Sequence, residues 1–273
     1  MSGYFTIVSV PELNLLNLAT LMLSSTLLYV SGVIFNDFFD LEIDKKERPF
    51  RPLPSGDISK ENAKRIAFGM MIFAILLSSF VSWSSFTISL FLSGIILAYD
   101  YKLKHNKFSN PIAMGSARFF NVILGASPAA HLPLQTNFLP VIFVASLVLT
   151  YVMVIAVLSR KEIRGMQSRQ PTKILFSIVY VIITLITIAV LLGFFTIWSL
   201  VILVPFAILI SLIFKKTLPG DALSIQNGIK NMVISIIILD SVFISGTAGL
   251  QFGLATFLFL IPSILLSRRL YVT

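Results

Sequence analysis

Apolar residues run along this chain in long unbroken stretches, broken at intervals by short polar clusters, with no alternation between the two. Continuous runs such as residues 174–195 predict helices, because a membrane β-strand would alternate apolar and polar side chains. A bilayer crossing needs ~20 residues. The pattern predicts about nine such spans, at residues 12–35, 62–82, 86–101, 112–130, 139–158, 173–192, 196–214, 229–248 and 252–267. Residues 1–10 are too short for a further span, lack the basic start of a signal peptide, and read as a stub. The fold class expected is all-α, a polytopic transmembrane helical bundle forming one domain over residues 1–273.

Composition identifies the solvent. Of 273 residues, 56% are hydrophobic and 12% charged, and the mean hydropathy is +0.93, whereas soluble domains carry about 25% charged residues. A net charge of +9 would raise nucleic acid as a partner in a soluble protein, but the placement of the basic residues answers otherwise. All 21 Lys and Arg fall into five clusters, at 45–65, 102–118, 160–173, 215–230 and 268–269. Between clusters lie pairs of spans joined by basic-free turns at 82–85, 131–138, 193–196 and 246–252. Lys and Arg gather on the cytoplasmic side of membrane proteins. The expectation is therefore a multi-pass integral membrane protein with the lipid bilayer as partner, no nucleic acid, and its charged loops in the cytoplasm. The absence of cysteine excludes disulfides and thiolate metal sites.

Seven of the twelve acidic residues lie between Asp37 and Glu61, starting at the end of the first span. The segment reads Asn36-Asp37-Phe38-Phe39-Asp40-Leu41-Glu42-Ile43-Asp44 and continues to Arg48-Pro49-Phe50-Arg51-Pro52-Leu53-Pro54-Ser55-Gly56. If the helix continues through it, Asp37, Asp40 and Asp44 stand at i, i+3 and i+7, with Asn36 four before Asp40, all on one face; Glu42 points elsewhere. Three carboxylates crowded at a membrane boundary repel one another unless a cation sits among them. Mg²⁺ suits this arrangement, since it takes oxygen ligands and is commonly shared between carboxylates and substrate phosphates. Arg48 and Arg51 offer guanidinium groups matched to phosphate oxygens, and Pro49, Pro52 and Pro54 stop the helix and fold them back. Asp57 or Ser59 is placed to cap the next span.

This segment resembles the first aspartate-rich motif, N-D-x-x-D-x-x-x-D followed by R-P-x-R-P-L-P-x-G, of the UbiA superfamily of intramembrane prenyltransferases. The resemblance implies a bundle around an apolar chamber in which Mg²⁺ holds an isoprenyl diphosphate while an acceptor is prenylated. It implies that Asp37, Asp40 and Asp44 are catalytic and metal-binding, with Asn36 beside them. A second segment, Tyr99-Asp100-Tyr101-Lys102-Leu103-Lys104, is similar to a Y-x-x-x-L-K stretch of the superfamily, and Lys102 and Lys104 are candidates to meet the diphosphate across the mouth. Arg118 and Asn121, one turn apart just inside a span, are expected to face the interior. A third segment, Ser159-Arg160-Lys161-Glu162-Ile163-Arg164-Gly165-Met166, aligns Glu162 with the first acid of the family's second motif and puts Met166 at the other, leaving Glu162 and Arg164 as binding candidates. Its S-R-x-E-x-x-G look resembles a divergent branch of UbiA-like EboC proteins.

The function these residues imply is transfer of an isoprenyl group from an isoprenyl diphosphate to a membrane-associated acceptor, with Mg²⁺ as cofactor. The alternative is a cation-coupled transporter, or a catalytically reduced membrane protein that binds lipid or diphosphate. Transporters usually show duplicated halves with broken helices near the midplane; no such repeat is visible here, and the acids lie at a boundary. Asp240, isolated within a span, and the pair Asn227 and Asn231 are weaker candidates.

Overall fold

The computed structural model describes residues 1–7, 14–131, 138–160 and 170–269, and its regular structure among these is helical throughout. The helices are α1 (Ser2–Ile7), α2 (Leu15–Phe39), α3 (Leu41–Glu47), α4 (Lys60–Ser79), α5 (Trp83–Tyr101), α6 (Ser109–Ala126), α7 (Leu139–Ser159), α8 (Gln170–Leu191), α9 (Trp198–Thr217), α10 (Ala222–Thr247), α11 (Leu250–Phe257) and α12 (Leu260–Arg269). Seven of them, α2, α4, α5 and α7 to α10, are long and apolar enough to cross a membrane.

The expected spans and the observed helices differ in two places. Helix α6 is full length, but Asn110, Arg118 and Asn121 make it less apolar than its neighbours α5 and α7, against which it packs. The last expected span, 252–267, is two short helices with a break at Leu258 and Phe259. Pro262 explains the break: it has no N–H to give the carbonyl of Leu258, and its ring crowds that carbonyl. The chain there tightens instead, with Phe259 N–H donating to Thr256 O and Ile261 N–H to Leu258 O.

The pairing of α2 with α4 shows how the apolar pattern becomes packing. The buried positions of α2 include Leu21, Ser24, Leu28, Ser31 and Phe35, a 3-4 alternation, and they meet Ala63, Ala67, Met71, Ala74 and Ser78 of α4. This is the seam spacing of a left-handed coiled coil, with small residues letting the backbones approach as they do in membranes. Ser24 Oγ donates to Ala74 O at 2.8 Å and Ser31 Oγ to Ala67 O at 2.9 Å, so two buried hydroxyls bind the helices together. A neighbouring face of α2, bearing Ser25, Tyr29, Gly32 and Asn36, is left free of α4 and lines a cavity.

The stub read at residues 1–10 begins as helix α1. Tyr4 and Phe5 are buried, and Gly3 lies so close to Val122 O on α6 that no side chain would fit. The Tyr4 hydroxyl donates to Asn14 O and accepts from Asn14 N–H, both at 3.1 Å. The short segment is thus a packed wedge against α6 and α10.

Candidate functional site

Helix α2 ends at Phe39 and α3 begins at Leu41, with Asp40 between them at φ −90° and ψ 5°. Asp40 N–H donates to Asn36 O at 3.0 Å and Asp44 N–H to Asp40 O at 2.8 Å, so Asp40 closes one helix and opens the next. Glu42, off the acidic face, is exposed and pairs with Lys45 Nζ at 2.8 Å, a hydrogen bond that holds its carboxyl below the ordinary range. Arg48 ends α3, and the proline-rich segment turns back, with Arg51 N–H on Arg48 O, Ser55 N–H on Arg51 O and Gly56 at φ 88°. Ser59, rather than Asp57, caps α4 by accepting from Asn62 N–H at 3.2 Å.

The return places Arg51 between two acids. Its guanidinium lies 3.0 Å from Asp37 Oδ1 and 2.9 Å from Asp44 Oδ2. From the other side Lys104 Nζ lies 2.8 Å from Asp40 Oδ1 and donates to Asn36 Oδ1 at 3.1 Å. Lys104 reaches inward because the chain leaves α5 through a tight turn at Leu103–His105, which Asn110 braces by donating to Lys104 O at 2.9 Å. Asn36 and the three aspartates of the motif are thereby gathered with two cations. No group of three Asp, Glu or His among the described residues is set to hold a metal ion in this arrangement, because Arg51 and Lys104 stand between the carboxylates.

Beside this network opens a cavity of about 360 Å³. Its polar rim includes Asn36, Asp37, Arg51 and Asp100, and its interior runs along Leu28, Leu92, Ile96, Met114 and Val152. Arg118 lines it with its guanidinium over the Tyr29 ring at 5.6 Å. Asn121 lies deeper, accepting from Ser25 Oγ at 2.6 Å. That pair borders a second, smaller cavity leading towards Met1 and Tyr4 of the N-terminal wedge. A polar, mixed-charge mouth over an apolar hollow is a form that takes an amphipathic ligand.

Not every candidate joins the site. Lys102 is exposed at the C-cap of α5, because the turn that brings Lys104 in sends it outward. Arg48 is half-buried but does not line the cavity, and neither do the Asp40 and Asp44 side chains, which lie under it in the ion-pair network. Glu162 and Arg164 lie outside the described residues. Asn227 and Asn231 are exposed on α10, and Asp240 is half-buried on that helix, away from the cavity lining. Sequence reasoning missed Asp100, which is 3% exposed and on the rim. The available signal was an ionisable residue in the last turn of an apolar span, which normally faces the interior.

Comparisons with known proteins give the chain's family and fold. Among curated proteins, the chain is 37% identical over 90 residues to the digeranylgeranylglyceryl phosphate synthase of Methanobrevibacter smithii, covering 31% of this chain and 32% of that one. It is 34% identical over 106 residues to the synthase of the same name from Korarchaeum cryptofilum, covering 39% and 38%. The matched stretches thus span about a third of those relatives' length. A solved structure from work on digeranylgeranylglyceryl phosphate synthase in membranes superposes with a TM-score of 0.67 over 90% of both chains, at 22% identity, a likeness of fold. The UbiA prenyltransferase family profile matches residues 2–220, and the chain belongs to that family.

Proposed function

We propose that the protein transfers an isoprenyl group from an isoprenyl diphosphate to a membrane-associated acceptor. The observation that carries this is the junction of the N-D-x-x-D-x-x-x-D face, with its cations Arg51 and Lys104, and an apolar cavity lined by Arg118. The diphosphate would lie at the rim and the isoprenyl tail in the hollow. The name shared by the relatives, digeranylgeranylglyceryl phosphate synthase, supports a reading in which the acceptor is a prenylated glyceryl phosphate. The charged end is read as cytoplasmic because the basic clusters gather there.

Asp37, Asp40 and Asp44 supply only oxygen donors, the kind Mg²⁺ takes, and would hold it once Arg51 and Lys104 give way. When bound, Mg²⁺ would neutralise charge on the departing diphosphate. The protein's own contribution begins with Arg51, which exchanges its carboxylate partners for phosphate oxygens; a guanidinium suits both. Lys104 holds Asn36 and Asp40 in register, and Arg118 can reach the diphosphate from the opposite wall. In the reaction the bond between C1 of the isoprenyl group and the diphosphate oxygen breaks, and the electron pair leaves with diphosphate. A bond forms from C1 to the acceptor oxygen, and the acceptor's proton is released. The apolar walls keep water from trapping the allylic cation.

The test is incubation of purified protein in lipid with geranylgeranyl diphosphate, Mg²⁺ and a prenylated glyceryl phosphate, followed by mass spectrometry and diphosphate release. The expected result is a product heavier by one prenyl group with an equal yield of diphosphate. Unchanged acceptor and intact donor would overturn the proposal.

A further inference from the structure

The motif's three carboxylates each have a cation: Asp37 and Asp44 share Arg51, and Asp40 has Lys104. A fourth carboxylate does not. Asp100 of α5 is 3% exposed, yet among the described residues no hydrogen bond or ion pair reaches it. It lines the same cavity as Asn36, Asp37 and Arg51. It is close to the acidic helix because α2 has a glycine opposite: a Cβ on Gly32 would stand 4.0 Å from Asp100 Oδ2 and only 2.9 Å from Ile96 Cγ2. The charged groups it feels are Lys104, Asp40 and Asp37. Arg118, the remaining cation of the cavity wall, is over the Tyr29 ring.

A carboxylate this enclosed, open only to the cavity and without a protein partner, is costly to keep charged. Asp100 thus adds a carboxylate to a cavity where the three motif acids already have their cations, and a divalent ion would supply its partner. We propose that Asp100 is a further ligand for the Mg²⁺ that carries the diphosphate, contributed from α5 across the cavity to the acidic face of α2. This rests on the function proposed above. The carboxylate is held ready by the fold, at a cost to the metal-free protein that the ion removes. Arg51 must leave Asp37 and Asp44 as the ion enters, and Asp100, having nothing to release, gives it a first oxygen to bind.

The test uses the full-length protein in detergent, with Mn²⁺ as the probe ion, its free concentration read by electron paramagnetic resonance in the presence of inorganic diphosphate. Wild type, Asp100→Asn and Asp100→Glu are compared, together with thermal unfolding in chelator. Asp100→Asn is expected to weaken Mn²⁺ binding at least about tenfold while raising the unfolding temperature of the metal-free protein. Asp100→Glu, which keeps the charge, is expected to stay close to wild type in affinity. A structural role would move the temperature the other way. Unchanged Mn²⁺ affinity in Asp100→Asn, or an Asp100→Glu protein as weak as Asp100→Asn, would overturn the inference while leaving the prenyltransferase reading intact. A wild type that binds no Mn²⁺ with diphosphate would overturn both.

Discussion

Replacing Arg51 with Met keeps an unbranched apolar stem and removes the charge that joins Asp37 to Asp44. The two acids feel this differently. The Asp44 side chain is 6% exposed, that of Asp37 32%. Removing one partner of a buried ion pair costs ~3–5 kcal/mol, whereas an exposed pair contributes ~0–1 kcal/mol. With one acid buried and the other half open, Arg51→Met is expected to cost about 2–3 kcal/mol. In a chain of this size that corresponds to a fall in Tm of about 5–10 °C. The assay is thermal unfolding of detergent-solubilised protein, in chelator and then in millimolar Mg²⁺. The cation takes the place the guanidinium vacates, so Mg²⁺ should restore most of the loss in Arg51→Met and raise wild type much less. A variant as stable as wild type in chelator would refute the reasoning about Asp44. A destabilised variant that Mg²⁺ does not rescue would refute the idea that cation and guanidinium compete for one place.

Other expectations follow from the same contacts. Lys104→Ala and Asp40→Ala should each destabilise, and the double variant should lose less than their sum; coupling of about 1–3 kcal/mol in a double-mutant cycle is expected, and additivity would remove the pair at 2.8 Å from the account. Tyr151→Phe removes a fully buried hydroxyl paired with Ser235 Oγ at 2.7 Å; Ser235 keeps its bond to Met232 O, so a loss of about 1 kcal/mol is expected in denaturant unfolding. Asp221 caps α10, accepting from Ser224 Oγ at 2.6 Å and Ser224 N–H at 3.0 Å, which holds its carboxyl below the ordinary range. Its contribution is therefore present above the ordinary aspartate value of about 3.9 and lost as pH falls through the lowered one. Asp221→Ala should unfold earlier than wild type at neutral pH, with the difference closing under acid; a gap that persists unchanged there would contradict the capping role.

Much of the fold was readable because a bilayer leaves few choices. Continuous apolar runs must be helices. The acidic segment was readable from its spacing, although the helix breaks at Asp40 and it is Arg51 and Lys104 that gather Asn36, Asp37, Asp40 and Asp44. What spacing does not contain is contact between helices. Lys102 and Lys104 are equivalent in sequence, but the turn at Leu103–His105 and the brace from Asn110 decide which one enters. Asp100 was hidden for the same reason: its meaning comes from Gly32, 68 positions earlier, which brings α2 against α5. The break before α12 was legible in Pro262, but high hydropathy on both sides masked it.

The central claim is that the acidic face and its cations bind an isoprenyl diphosphate through a divalent ion. The measurement that bears on it most directly is equilibrium binding of labelled geranylgeranyl diphosphate to purified protein over a range of Mg²⁺, for wild type, Asp40→Ala and Asp44→Ala. The account expects saturable binding that requires Mg²⁺ and is lost in both variants. Binding absent from the wild type, independent of Mg²⁺, or undiminished in either variant would contradict it.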